Sequence, residues 1–314
     1  MYLLIGTVGV ACVVSVAIAR ANASHRLRTQ RLSEMAEALG DPRRCEWALD
    51  QLIRRKQHGA MIEALLAPPT LARDTPPPHT RMTRWDYRLA RLHAVEGLGT
   101  IRAQESVNPL LTALAAANPV LRIRIVWALG IGSIGRCSAE SALIAFLGDD
   151  DDVLAAFSGC RYAVCPDGVH TLGELAAWSL RQMDESQLVD AFEGTLRGDP
   201  AAVGQLKSLD AAGVRTALMR AVNHKNPIIS ANAALALAEF RATEALPNLR
   251  ARLRALDSRS DLVRRTCAQS ISQLEMLLLL PRVAAAPPPN TRTLPRVASS
   301  PRLDHSRLPR AVGQ

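Results

Sequence analysis

Arg91-Leu-His-Ala-Val-Glu-Gly-Leu-Gly-Thr-Ile101 is followed by Glu105-Ser-Val-Asn-Pro-Leu-Leu-Thr-Ala-Leu114, then by Asn118-Pro119-Val-Leu-Arg122 and the run Val126-Trp-Ala-Leu-Gly130. Apolar residues recur in these segments at helical spacing. One round therefore reads as an amphipathic helix, a Gly turn, a second amphipathic helix and an Asn/Asp-Pro restart. A unit of that size cannot bury its apolar stripe alone, so copies have to stack on one another. The expected fold class is all-α, an α-solenoid.

Working outward, the pattern returns. Ile101-Arg-Ala-Gln-Glu-Ser-Val-Asn-Pro-Leu110 is echoed by Phe240-Arg-Ala-Thr-Glu-Ala-Leu-Pro-Asn-Leu249, and restarts recur at Asp41-Pro42, Asn118-Pro119, Asp199-Pro200 and Asn226-Pro227. An Asn or Asp side chain accepts from the unpaired amides of a new helix, and Pro at the first helical position has no amide to lose. Gly97-Leu98-Gly99 and Ala128-Leu129-Gly130 resemble the first-helix endings of HEAT-like repeats, the short bacterial and phycobilin-lyase type. The resemblance covers residues 41 to 280 and implies a HEAT-like solenoid over 81–280. It implies a fold more than an activity, because functions are grafted onto such folds.

The net charge is +9, but it is concentrated at the two ends. Arg20, Arg26, Arg28 and Arg31 supply four charges, and the stretch from Arg282 to Arg310, less Asp304, supplies five. The repeat body is left neutral on average, which argues against a basic nucleic-acid-binding face. Residues 2–19, YLLIGTVGVACVVSVAIA, carry no charge and are long enough as a helix to span a hydrocarbon core. Positive charge follows this run instead of preceding it. That favours a single-pass transmembrane anchor (1–20) with the body in the cytoplasm over a cleaved signal peptide. Residues 21–80 read as juxtamembrane helices and a Pro-rich loop, with a divergent cap repeat from Asp41. Residues 281–314, rich in Pro and Arg, read as a disordered tail.

The rhythm breaks once. Leu98 and Leu129 are equivalent, and so are Leu129 and Leu180, yet the second interval is longer by an insertion spanning 149–171. It carries Asp149–Asp152, Cys160, Cys165 and His170. Thiolate and imidazole are zinc donors, so Cys160, Cys165 and His170 form one candidate metal set, although structural sites use tighter Cys pairs. A disulfide between Cys160 and Cys165 is the other chemistry open to them. The acidic run lacks the alternation and central Gly of a calcium loop and reads as a charged helix start. His93-Ala-Val-Glu96 and His170-Thr-Leu-Gly-Glu174 depart from the adjacent His-Glu pairs of HEAT-like deoxyhypusine hydroxylases, and are expected to lie on the surface. Trp127 and Trp178 suit a core better than the base-stacking role of HEAT-like alkylpurine glycosylases. Met276 to Leu280 are expected to pack into the core.

Function follows from these expectations. The primary reading is a membrane-anchored scaffold that binds a protein partner on a concave face built mainly from second helices. Asn108, Thr112, Gln187, Asp190, Asn248 and Arg252 are the candidate contact residues. Arg250, Arg252 and Arg254 lie largely off their helix's apolar stripe, which suits a solvated face. No cofactor is expected. A second reading places an enzyme or metal protein at the Cys160–His170 insertion, and a third gives the basic tail to nucleic acid or anionic lipid.

Overall fold

Helices begin at Pro119, Pro200 and Pro227 as the restarts dictate, whereas after Asp41-Pro42 a turn intervenes and the helix begins only at Cys45. Side-chain oxygens of Asp41, Asn118, Asp199 and Asn226 accept from the backbone N–H groups of Arg43, Leu121, Ala201 and Ile228, each at 2.9 Å. A computed structural model describes residues 30–67, 86–131, 138–256 and 260–279. Their helices are α1 (30–38), α2 (Cys45–Arg54), α3 (His58–Leu66), α4 (Tyr87–Ile101) and α5 (Val107–Ala115). Then come α6 (Pro119–Ile131), α7 (Glu140–Ile144), α8 (Leu154–Phe157), α9 (Leu172–Gln182) and α10 (Ser186–Arg197). The last five are α11 (Pro200–Leu209), α12 (Val214–Ala221), α13 (Pro227–Glu239), α14 (Leu246–Ala255) and α15 (Asp261–Leu279). The described residues are all-α apart from one isolated β-bridge.

The stack is continuous. Helices α4, α6 and α9 lie side by side, with α2 and α3 packed on α4 as the first round. Beyond the insertion the order shifts. Helix α10 packs on α11 and α13, while α7 meets α12 directly, so the second helices do not form one uninterrupted row. Helix α13 is then covered by α15. One core runs through all of it, with Leu49, Leu98, Leu129, Leu175, Leu218, Leu237 and Leu274 fully buried. Helix α15 is the last described helix of the stack and turns Arg264, Arg265, Gln269, Ser272 and Gln273 outward. Its last turn corrects the expectation for Met276–Leu279: Met276, Leu278 and Leu279 are exposed and Leu277 packs against the core, while Leu280 lies outside the described residues. Four consecutive apolar residues cover every direction around a helix, and among the described residues the neighbours of α15 lie on the side facing α13 and α14.

The repeat echo extends to backbone angles. Helix α4 ends at Arg102, in the left-handed region at φ 57°, and the chain then makes a 3-10 turn at Gln104–Ser106. Arg241 repeats this at φ 52°, followed by the turn Thr243–Ala245. The turn between paired helices is thus made by an arginine, a few residues beyond the position read as a Gly turn. The glycines serve a different purpose. A Cβ on Gly99 would lie 2.7 Å from the Trp127 ring and 3.0 Å from the Ala128 Cα; one on Gly130 would lie 2.8 Å from the Ser179 Cα. They let α4, α6 and α9 approach closely at equivalent points.

Among the described residues no helix is long and apolar enough to cross a membrane. Residues 2–19, the Pro-rich loop over 68–80 and the tail from 281 lie outside the described residues.

Candidate functional site

The insertion is tied at its base and at its tip. At the base, Val153 N–H donates to His170 O (3.1 Å) and Leu172 N–H to Asp151 O (2.9 Å), around an antiparallel bridge between Asp152 and Thr171. Thr171 then caps α9. Its hydroxyl accepts from Glu174 N–H, while the Glu174 carboxylate accepts from the N–H groups of Thr171 and His170. Glu174 is thereby occupied by backbone, and the His170 side chain stays exposed.

The tip is held by Glu96. Its side chain is fully buried on α4, where an uncompensated carboxylate is prohibitively costly. Oε1 accepts three consecutive backbone N–H groups, from Arg161 (2.8 Å), Tyr162 and Ala163 (3.1 Å). Oε2 lies 3.6 Å from the buried Arg124 guanidinium, close enough for charge compensation, and 3.5 Å from His93 Nδ1, neither aligned as a full hydrogen bond. Burial pushes the Glu96 carboxyl up, but His93, the Tyr162 and Ala163 amides and Arg124 together outweigh it. The group is held below its ordinary value. Arg124 also donates from Nε to Ala156 O at 2.9 Å, so the same ion pair grips both flanks of the tip.

Further contacts spread outward from this node. The Tyr162 hydroxyl donates to Asp50 on α2, and the Arg161 guanidinium lies 3.5 Å from Asp50 and 3.7 Å from Glu46. Trp127 meets Phe157 edge to face, with centroids 6.4 Å apart. The surface position expected of His93 and Glu96 is therefore corrected: both are buried. A clue was present in the register. Glu96, Trp127 and Trp178 stand two residues before Leu98, Leu129 and Leu180, so a carboxylate fills a slot that the next two rounds give to tryptophan. Trp127 is buried as expected, and Trp178 packs against the core while remaining partly open.

The candidate metal set is not brought together. Cys160 Sγ faces Ala156 O at 3.7 Å and Cys165 Sγ faces Val169 O at 3.4 Å. Both cysteines are free, and no described cluster of three potential ligands includes them or His170. Burial raises the Cys160 thiol to about 11, with Arg124 pulling it down and Glu96 pushing it up. A thiol held that high is a poor nucleophile. Iodoacetamide at pH 8 is expected to alkylate Cys160 at least ~10-fold more slowly in the folded protein than in urea, read by peptide mass spectrometry.

Asp149–Asp152 divide their work. Asp152 caps Leu154 N–H at 2.8 Å, the helix-start role expected of the run. Asp149 pairs with Arg220 at 2.6 Å, and Asp150 accepts from Lys225 N–H at 3.0 Å. The first three aspartates bring oxygens within 4.8 Å of one another, but the cations answering Asp149 and Asp150 belong to the protein itself.

The candidate partner residues fall in separate places. Asn108, Gln187 and Asn248 are exposed on α5, α10 and α14. Thr112 donates to its own helix at Asn108 O, and Asp190 pairs with Arg181. Arg252 turns partly inward toward His224 O at 3.4 Å, and Arg250 pairs with Glu275 at 2.7 Å, so these arginines are less free than a solvated face implies. Because α10 leaves the second-helix row, Gln187 and Asp190 do not continue the face of Asn108 and Thr112.

Paired helices, asparagine and aspartate restarts and glycine-mediated stacking define an α-solenoid of the HEAT-like kind. Residues 80–157 match the family model for HEAT repeats, and the helices on either side continue the same stack. No curated protein matches the chain.

Proposed function

We propose that this protein is a membrane-tethered scaffold whose HEAT-like stack docks a partner protein in the cytoplasm. The observation that carries the reading is the stack of HEAT-like repeats itself, a quasi-one-dimensional body that offers an extended side-chain surface. The uncharged run over 2–19, followed by Arg20, Arg26, Arg28 and Arg31, supports the tether and its orientation. Exposed Asn108 and Asn248 supply polar contacts of the kind such a surface uses. Cys160, Cys165 and His170 stand apart, so the metal reading gains no support from them.

A carboxyl-terminal tag, gentle solubilisation of membranes and mass spectrometry after a salt wash test this reading. The expected result is one or two stoichiometric proteins, reduced at least ~10-fold by Asn108→Glu with Asn248→Glu, since a charge pressed into an interface costs several kcal/mol. A tagged protein recovered from the soluble fraction, or from membranes with nothing bound, would overturn it.

A further inference from the structure

One edge of the stack concentrates positive charge at Arg88 and Arg91. Tyr87, Arg88, Arg91 and Leu92, from the first two turns of α4, face Asn118 and Leu121 at the start of α6 across a cleft of about 280 Å³. Arg91 Nε is buried and has no hydrogen-bond partner among the described residues. Among the described residues, no carboxylate lines the cleft. Asp86, one residue before α4, spends its side chain on Arg88 N–H at 2.8 Å. A buried donor left unmade carries a desolvation cost that an incoming acceptor relieves.

The other groups point the same way. Arg88 is exposed and its guanidinium lies over the Tyr87 ring at 5.9 Å. Asn118 uses its side-chain oxygen on Leu121 N–H and so presents its NH2 as a donor. Leu92 and Leu121 supply an apolar wall. A recess offering guanidinium and amide donors beside aliphatic carbon is complementary to a carboxylate on a short aliphatic stem.

We propose that this cleft binds a glutamate or aspartate side chain presented by an acidic segment of the partner protein. The proposal rests on the scaffold reading and names the chemistry of the partner. A flat lipid surface does not enter a recess of this size. One face of the Tyr87 ring, where a nucleotide base could stack, is occupied by Arg88.

The test uses the full-length protein in detergent and a capped Leu-Glu-Glu-Leu peptide bearing a benzophenone, with its Gln-Gln counterpart as control. Cross-links are expected on residues 87–92 and 116–121. Affinity is expected to fall at least ~10-fold for Arg91→Gln and for the Gln-Gln peptide, while Arg197→Gln, remote on α10, leaves it unchanged. Circular dichroism of Arg91→Gln establishes that it folds. Cross-links confined to the tail arginines, or Arg91→Gln binding as tightly as the parent, would overturn the proposal. So would displacement of the peptide by equimolar inorganic phosphate, which would identify a free-anion site. A partner that co-purifies equally well with Arg91→Gln would remove the cleft proposal and leave the scaffold reading standing.

Discussion

Glu96→Ala is expected to lower the stability of the stack by about 3–5 kcal/mol, because it removes one member of a buried, mutually compensating set. Three backbone N–H groups at the insertion tip lose their acceptor, and Arg124 and His93 remain inside without the carboxylate. Glu96→Gln keeps the shape and one acceptor oxygen but not the charge, so its loss is smaller. The urea midpoint read by circular dichroism checks both. The effect depends on pH with a definite sign. The folded Glu96 carboxyl lies below its ordinary value, so its stabilisation is fully present above the unfolded value near ~4.3 and is lost as pH falls through the folded one. Glu96→Gln takes up no proton in that window. The gap between the two proteins should therefore close as the solution is acidified, and a gap that stays constant from neutral pH into that window would rule out the charge as its source.

The second large effect is expected at Gly130. A Cβ there would sit 2.2 Å from Ser179 Oγ and 2.8 Å from Ser179 Cα, so one neighbouring backbone has to move. Overpacking of this kind costs about 1–3 kcal/mol. Ser179→Ala should not relieve it, since the clash with the Ser179 backbone and Cβ persists and the buried bond from Ser179 Oγ to Val126 O is lost. Ser179→Gly should restore part of the loss, making the pair non-additive in a double-mutant cycle. A Gly130→Ala protein as stable as the parent would mean that α6 and α9 do not touch at that point.

These two sites show where the sequence speaks plainly and where it does not. The restarts, the helical pairs and the equivalence of Ile101–Leu110 with Phe240–Leu249 follow from local chemistry, and local chemistry is what a periodic pattern reports. The role of Gly99 and Gly130 is easily misplaced because a glycine near a helix end has two readings, a left-handed turn or a close approach. Only the partner helix decides between them. Arg102 and Arg241 hide the real turn, since nothing about arginine advertises a positive φ. The burial of His93 and Glu96 depends on an insertion that arrives 65 residues later to donate its amides, and no spacing rule within α4 encodes that. The displacement of α10 from the second-helix row is likewise set by α11 and α13 packing around it. It moves Gln187 away from the face that a regular solenoid would have given it.

The insertion is the most individual part of the chain, and Glu96 makes it a fixed element of the stack instead of a loose loop. Hydrogen exchange at the amides of Arg161, Tyr162 and Ala163 in the native protein tests this most directly. Those three groups are the donors to Glu96. They are expected to exchange far more slowly than the amide of the neighbouring exposed Gly159, and to lose that protection in Glu96→Gln while the amides of α13 keep theirs. If the three amides exchange as fast as that of Gly159 in the unaltered protein, the carboxylate does not hold the tip, and a fixed insertion is contradicted.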